Sequence, residues 1–147
     1  MEIAVLACGC FWGPEIKFSK LEGIYRTEVG YCGGNSSKTS YEEVCTGNTN
    51  HAEVVKLEFD PNKISYEKIL EFFFQIHDPT TLNSQGPDFG TQYRSEIFYL
   101  NDNQKNIAEK ITKKINEKLS GKVVTKISLL KNYCIAEEYH QKYLNKN

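Results

Sequence analysis

Hydrophobic and polar positions along the chain divide it into short, readable elements. Residues 3–8 (IAVLAC) are apolar at successive positions, so residues 2–9 are expected to form a strand covered on both faces and central in its sheet. Residues 11–20 follow as a helix. Pro14 suits its first turn, where a backbone N–H would lack an intrahelical partner. Residues 23–31 read as a second strand ended by Gly33 and Gly34, residues 39–45 as a short helical turn, and residues 52–59 as an alternating strand. Ser65 caps a helix reaching Ile76, with Ile64 and Ile69 placed as a hydrophobic staple and Ile69, Phe73 and Ile76 on its buried face. A strand over 95–100 precedes a lysine-rich helix over 102–119, whose apolar stripe is Ile107, Ile111, Ile115 and Leu119. A strand over 123–130 and a helix from Ala136 to Leu144 complete the pattern. The order β-α-β-β-α-β-α-β is not a strict alternation. It predicts an α+β domain with helices on one side of a mixed sheet.

Residues 78–94 break this pattern with a polar connection containing two prolines and two glycines. Long connections in compact domains are functional or disordered, and Phe89 and Tyr93 favour an ordered, functional loop. The 147 residues are expected to form a single catalytic domain, 1–147. A net charge of -1 gives no basic field for nucleic acid or anionic lipid. The apolar run at the start is too short to span a bilayer and carries no basic segment before it, so a cytoplasmic location is expected. Five cysteines (Cys8, Cys10, Cys32, Cys45 and Cys134), an odd number without a secretion signal, argue for reduced thiols rather than a disulfide scaffold. Paired zinc-ligand spacing is missing, so no metal is expected. Gly30, Gly33 and Gly34 are not followed by Gly-Lys-Ser/Thr and read as a turn with close backbone approach rather than a phosphate loop.

Candidate chemistry centres on Cys10, where a buried strand gives way to a helix. Free N–H groups and the helix dipole there favour a thiolate and are expected to lower the thiol pKa; the alternative is a small cysteine that only packs. Phe11 and Trp12 follow it directly. Two adjacent rings in one first turn do not both enter the same core, so one is expected beside the thiol, in a slot suited to a methyl group next to sulfur. In the strand at 52–59, Val55, Leu57 and Phe59 share a face, and counting back places Glu53 on it. Burial there would raise the carboxyl pKa and make a proton donor; the alternative is that the strand starts later and leaves Glu53 solvated. Tyr41 and Tyr93 offer phenols that could donate to an oxygen gaining charge, although a chain with nine tyrosines does not single them out. A soft nucleophile, a neutral acid, phenolic donors and an aromatic slot are what reduction of a methyl sulfoxide requires. The enzyme-bound product is a sulfenic acid, which a second thiol condenses to a disulfide and an external dithiol restores.

The segments GCFWG (9–13) with Glu15, SYEEVCTG (40–47), HAEVV (51–55), DFGTQYRS (88–95) and AEEYHQ (136–141) together resemble the A-type peptide methionine sulfoxide reductases, over essentially the whole chain. The resemblance implies a ferredoxin-like split βαβ core with a mixed sheet and extra loops and helices. It implies reduction of methionine-S-sulfoxide, free or in proteins, with thioredoxin or a similar dithiol as external reductant and no bound cofactor. By position, Cys10 matches the nucleophile, Glu53 the acid, Tyr41 and Tyr93 the phenols that bind the sulfoxide oxygen, Phe11 and Trp12 the methyl pocket, and Asp88 a polar residue holding substrate or water. A monomer without nucleic-acid or membrane partners, acting in protein repair after oxidative damage, is expected.

The sequence departs from the family in its thiols. Many members carry resolving cysteines in a C-terminal tail, whereas this sequence has none after Cys134. Cys8 and Cys32 stand where other residues are usual, and Cys45 is common without being required. Cys134 is therefore the candidate resolving thiol, the alternative being direct reduction of the sulfenic acid by an outside thiol. Rival readings are a thiol peroxidase or peroxide sensor using Cys10, which would want cationic or hydroxyl assistance, and a non-enzymatic, metal-dependent binding module.

Overall fold

The computed structural model describes residues 1–146, with side chains through Leu144; Asn147, the last residue of the expected domain, lies outside the described residues. The elements are β1 (Glu2–Cys8), α1 (Trp12–Ser19), β2 (Ile24–Cys32), α2 (Tyr41–Cys45), β3 (Ala52–Phe59), α3 (Tyr66–Gln75), β4 (Ser84–Gln85), β5 (Asp88–Phe89), β6 (Ser95–Tyr99), α4 (Asp102–Lys118), β7 (Lys126–Leu129), β8 (Cys134–Ile135) and α5 (Tyr143–Lys146). A six-stranded sheet has the order β7-β6-β1-β3-β2-β8. All its neighbours are antiparallel except β6 and β7, which α4 joins as a parallel crossover. The inner order β6-β1-β3-β2, with α1 and α3 as connections, is the split βαβ arrangement, extended by one strand at each edge.

Period-two alternation decides which face each strand residue enters. Leu6, Val29, Tyr31, Val55 and Leu57 face α1, α3 and α4, where Phe18, Ile69, Phe73, Ala108 and Ile111 complete the larger core. Val5, Ala7, Cys32, Ala52, Val54 and Phe98 fill the opposite face under Leu100, Leu130 and Tyr133. The double coverage of β1 follows from its central position. Ser65 caps α3 by accepting the Lys68 N–H at 3.1 Å, and Ile64 and Ile69 join the same core. Gly34 lies against His51, whose ring would occupy the space of any Cβ at that position.

Three expectations need correction. The chain does not form a helix from Ala136 to Leu144: it makes strand β8, a 3-10 turn at Glu138–His140 and then α5. Lys142 adopts φ 51°, which ends any continuous helix, and the Gln141 side chain occupies the edge of β2 by pairing with both Val29 N and O at 2.9 Å. The strand expected over 123–130 shrinks to β7, because Val124 N–H instead bonds Pro79 O at 2.8 Å. Of the apolar stripe on α4, Ile111 is buried and Ile107 and Ile115 pack against the core, but Leu119 at the helix end is exposed, and Gln104 and Ala108 complete the buried face. Gln104 tolerates burial because it donates to Ile3 O at 2.7 Å and accepts the Leu100 N–H at 2.9 Å.

Candidate active site

β1 delivers the chain to the end of the sheet, and Gly9, at φ 97°, turns it into Cys10 and α1. A Cβ at position 9 would stand 2.8 Å from Gln85 Cγ, so only glycine suits both the backbone and the close approach of the β4 loop. Phe11 O accepts the Glu15 N–H at 3.1 Å and opens the helix. Cys10 thus lies half-buried just before the first turn.

Glu53 arrives from β3 on the helix-bearing face, only 1% exposed. Its Oε1 accepts the backbone N–H of Phe11 at 3.2 Å, and Oε2 is buried with no hydrogen-bond partner. The side chain is therefore directly beside the nucleophile's segment. Burial pushes the carboxyl from 4.5 up to about 8; the Phe11 bond opposes this and the Asp88 charge adds to it. Glu53 is a neutral acid near neutral pH.

The same burial reverses the expectation for Cys10. Desolvation, aided by the Glu53 and Asp88 charges and opposed by the Trp12 backbone N–H, raises its thiol to about 11. A thiol, not a thiolate, is the resting form. The field of the helix start is real but weaker than the cost of burying charge.

The phenols flank this pair. Tyr41 opens α2, whose cap is Ser40 accepting the Glu43 N–H at 3.3 Å. Glu137 accepts the Tyr41 backbone N–H at 2.9 Å and the Tyr31 hydroxyl at 2.8 Å, tying α2 to β2. Burial, followed by the neighbouring Cys45, raises the Tyr41 pKa. Tyr93, in the 3-10 turn Thr91–Tyr93, is pushed up to about 12 by burial and by the charges of Glu53, Cys45, Asp88 and Cys10. Both remain hydrogen-bond donors. Asp88 stands half-buried in β5, and its charge acts on Cys10, Glu53 and Tyr93. The loop carrying it is ordered by Gln85 Oε1, which accepts the Asp78 N–H at 3.0 Å, and by Thr81 donating to Ser84 O at 2.6 Å.

Of the two rings after Cys10 one is buried and the other half-exposed, yet both pack on the same core, contrary to the expectation that they would separate. Phe11, 1% exposed, packs under Tyr31 and His140 at 5.7 and 5.2 Å between centroids, and so supports the floor. Trp12 is half-exposed and offers the ring surface; its indole N–H donates to His140 Nδ1 at 3.1 Å and its face stacks on Tyr143 at 3.8 Å.

The Cys134 thiol donates to Thr39 O at 3.7 Å and to Ile135 O at 3.6 Å. Tyr31 pairs with Glu53 on one side and Cys134 on the other, and the β1–β3 register extends to put Cys8 beside Glu53. Three strand-to-strand steps separate Cys8 from Cys134 by roughly 15 Å between Cα atoms, and Cys10 lies beyond the end of β1; a disulfide needs about 7 Å or less. Cys45, not singled out in the sequence, acts on the Tyr41 phenol from one turn further along α2. Glu137, His140 and Tyr143 were also missed. The block AEEYHQ marked their segment, but nothing in its composition told which side chains turn inward. All five cysteines are free, and among the described residues no group of three or more His, Cys, Asp or Glu could hold a metal ion. No helix among them is long and apolar enough to cross a membrane.

Comparison with known proteins agrees with this geometry. The model of the family described as peptide methionine sulfoxide reductase matches residues 2–147. The peptide methionine sulfoxide reductase MsrA of Pelagibacter ubique (strain HTCC1062) is 80% identical over 146 residues, covering 99% of each chain. The reduced form of Mxr1 from Saccharomyces cerevisiae superposes with a TM-score of 0.94 at 46% identity, covering 99% of this chain and 85% of that one. Mxr1 in complex with Trx2 gives a TM-score of 0.68 at 30% identity, over 97% of this chain and 84% of that one. With a whole-chain family match, a near-complete relative and a shared fold, the chain belongs to the peptide methionine sulfoxide reductase family.

Proposed function

We propose that this protein reduces the S epimer of methionine sulfoxide, free and within proteins, with Cys10 as nucleophile and Glu53 as acid. The observation that carries the reading is the buried Glu53 carboxyl, hydrogen-bonded to the N–H immediately after Cys10 and neutral near pH 7. Tyr41 and Tyr93 hold the sulfoxide oxygen, while the half-exposed Trp12 receives the methyl group, with Phe11 buried next to it in the chain, and Asp88 helps hold the polar part.

Glu53 gives its proton to the sulfoxide oxygen as the Cys10 sulfur attacks, and the thiol proton returns to Glu53. The S–O bond to methionine breaks, a Cys10 S–OH forms, and two electrons pass from the cysteine sulfur to the methionine sulfur. The site therefore exchanges no net proton with solvent in this half-reaction. An external dithiol then reduces the sulfenic acid, releasing water and forming its own disulfide. The complex that yeast Mxr1 forms with Trx2 supports a thioredoxin-like donor. The groups acting on Cys10 are acidic, which disfavours peroxide chemistry needing a cation. Five free cysteines support a reducing, cytosolic setting, and the domain acts as a monomer in this reading.

The test is a thioredoxin- or dithiothreitol-coupled assay on the two separated methionine sulfoxide epimers. Turnover of the S epimer alone is expected; equal turnover of both, or of neither, refutes the proposal.

A further inference from the structure

Among the described residues, the ion pairs Lys56–Glu28 and Lys110–Glu67 stand at 3.9 Å with side chains that reach solvent. Arg94 and Glu96 differ. They are 7% and 4% exposed, and Nε lies 2.6 Å from Oε1. Taking two charges out of water is costly, and apolar side chains of similar volume would hold a fold as well. What the pair points at is therefore more informative than any stability it adds.

Glu96 shares a face of β6 with Phe98, away from the helices. Its Oε2 accepts the Ser128 hydroxyl of β7 at 2.5 Å, so two strands fix the carboxylate. Arg94 stands between the 3-10 turn Thr91–Tyr93 and β6. Its Nε donates to Glu96, and its Nη1 donates to Thr91 O at 2.9 Å. Gly33 leaves room for this: a Cβ there would stand 2.8 Å from Phe98 Cε1 and 3.1 Å from Arg94 Nη2. The guanidinium thus ties the first residue of the turn to the sheet. The turn's own backbone supplies the Tyr93 N–H to Gly90 O bond at 3.0 Å and the Arg94 N–H to Thr91 O bond at 3.2 Å. A single 3-10 turn of that size does not hold itself.

We propose that Arg94 is a positioning residue for sulfoxide reduction: its guanidinium, held by Glu96, anchors Thr91 and so sets where the Tyr93 hydroxyl stands. The inference rests on the proposed role of Tyr93. Lysine is no substitute at this position. Its ammonium is a point charge where the guanidinium is a planar fork, so it can keep Glu96 but not reach Thr91 O as well.

Single-turnover methionine formation from saturating N-acetylmethionine-S-sulfoxide, without reductant, is measured in wild type, R94K, Y93F and the double variant. Y93F should slow the step about tenfold or more, as the loss of one donor to an oxygen gaining charge, and R94K about fivefold. The double variant should stay within about twofold of Y93F, because an arginine that works through the phenol has nothing to place once the phenol is gone. An arginine that only steadies the fold would slow Y93F as much as it slows wild type. An R94K rate within about twofold of wild type, or a double variant slower than Y93F by more than about twofold, overturns the proposal. Fluorine NMR of protein labelled with 3-fluorotyrosine reads the placement without turnover, with Y93F assigning the Tyr93 signal among nine. R94K should move or broaden that signal, and an unmoved signal overturns the anchoring. If R94K does not fold, S128A, which releases Glu96 from β7, should move the signal; an unmoved signal in S128A is then the refuting result. A moved signal with Y93F at the wild-type rate would fail the role given to Tyr93 and not the anchoring of its turn.

Discussion

Replacing Glu53 by glutamine removes a proton and almost nothing else. The side chain keeps its shape, and its amide oxygen can still accept the Phe11 N–H now bonded at 3.2 Å. What disappears is a carboxyl titrating at about 8. Such a group is about 90% protonated at pH 7 and about 10% protonated at pH 9, so the wild-type sulfoxide step should decline between these values. General acids contribute about 10²- to 10⁴-fold, and E53Q should slow the step by that much while flattening its dependence over pH 7–9. Stability should move the other way. A carboxyl raised from 4.5 to about 8 binds its proton more tightly when folded, so wild-type stability declines as pH rises between those two values. The shift corresponds to about 4 kcal/mol by pH 8, which E53Q should recover in part. Single-turnover methionine formation without reductant, followed against pH, measures the step; urea unfolding at pH 5 and pH 8 measures the stability. If E53Q reduces sulfoxide within tenfold of wild type, or keeps the alkaline decline, Glu53 is not the acid. If the variant is inactive but less stable at pH 8 than wild type, the loss is structural and the reasoning fails too.

Other outcomes follow from the same geometry. Iodoacetamide should alkylate Cys10 slowly at pH 7 and faster with each pH unit toward about 11; a midpoint near 7 would show that the helix start wins over burial. C134S should turn over at the wild-type rate with dithiothreitol, and peptide mapping after one equivalent of sulfoxide should reveal no linkage between positions 10 and 134. A cross-linked peptide would refute the spacing argument. G9A should lose about 2 kcal/mol or more in urea unfolding, because φ 97° strains alanine and its Cβ collides with Gln85; a loss under about 0.5 kcal/mol would refute it.

Much of this was readable along the chain, for identifiable reasons. The bounds of β3 matched its alternation because Val55, Leu57 and Phe59 bury one face, and that same period carried Glu53 into the core. The cap at Ser65 has local chemistry and was equally plain. What failed depended on partners distant in sequence. The C-terminal segment shows helical spacing, yet Gln141 is held 112 residues away by Val29 and Lys142 by Glu15. Residues 134–135 are too few to show any alternation, and only the exposed edge of β2 makes them a strand. His140 carries no local mark at all; its role exists only because Trp12 comes to meet it.

The thiol shows the limit most clearly, because position at a helix start predicts one sign of shift and the fold imposes the other. A helix start offers partial charges over one turn, whereas burial removes water from the sulfur and the Glu53 and Asp88 charges act in the same direction. Yet the same burial is what makes Glu53 an acid. A site dry enough to keep a carboxyl protonated at pH 7 is also dry enough to keep a nearby thiol protonated, so acid and nucleophile cannot be tuned in opposite directions by burial alone. Separating them takes a charge or dipole that appears with the substrate. The sulfoxide supplies one: its S–O dipole presents the electron-poor sulfur to Cys10 and the electron-rich oxygen to Glu53 and the phenols. Activation of the thiol then belongs to the complex, and substrate should accelerate the loss of the Cys10 proton that the free protein resists.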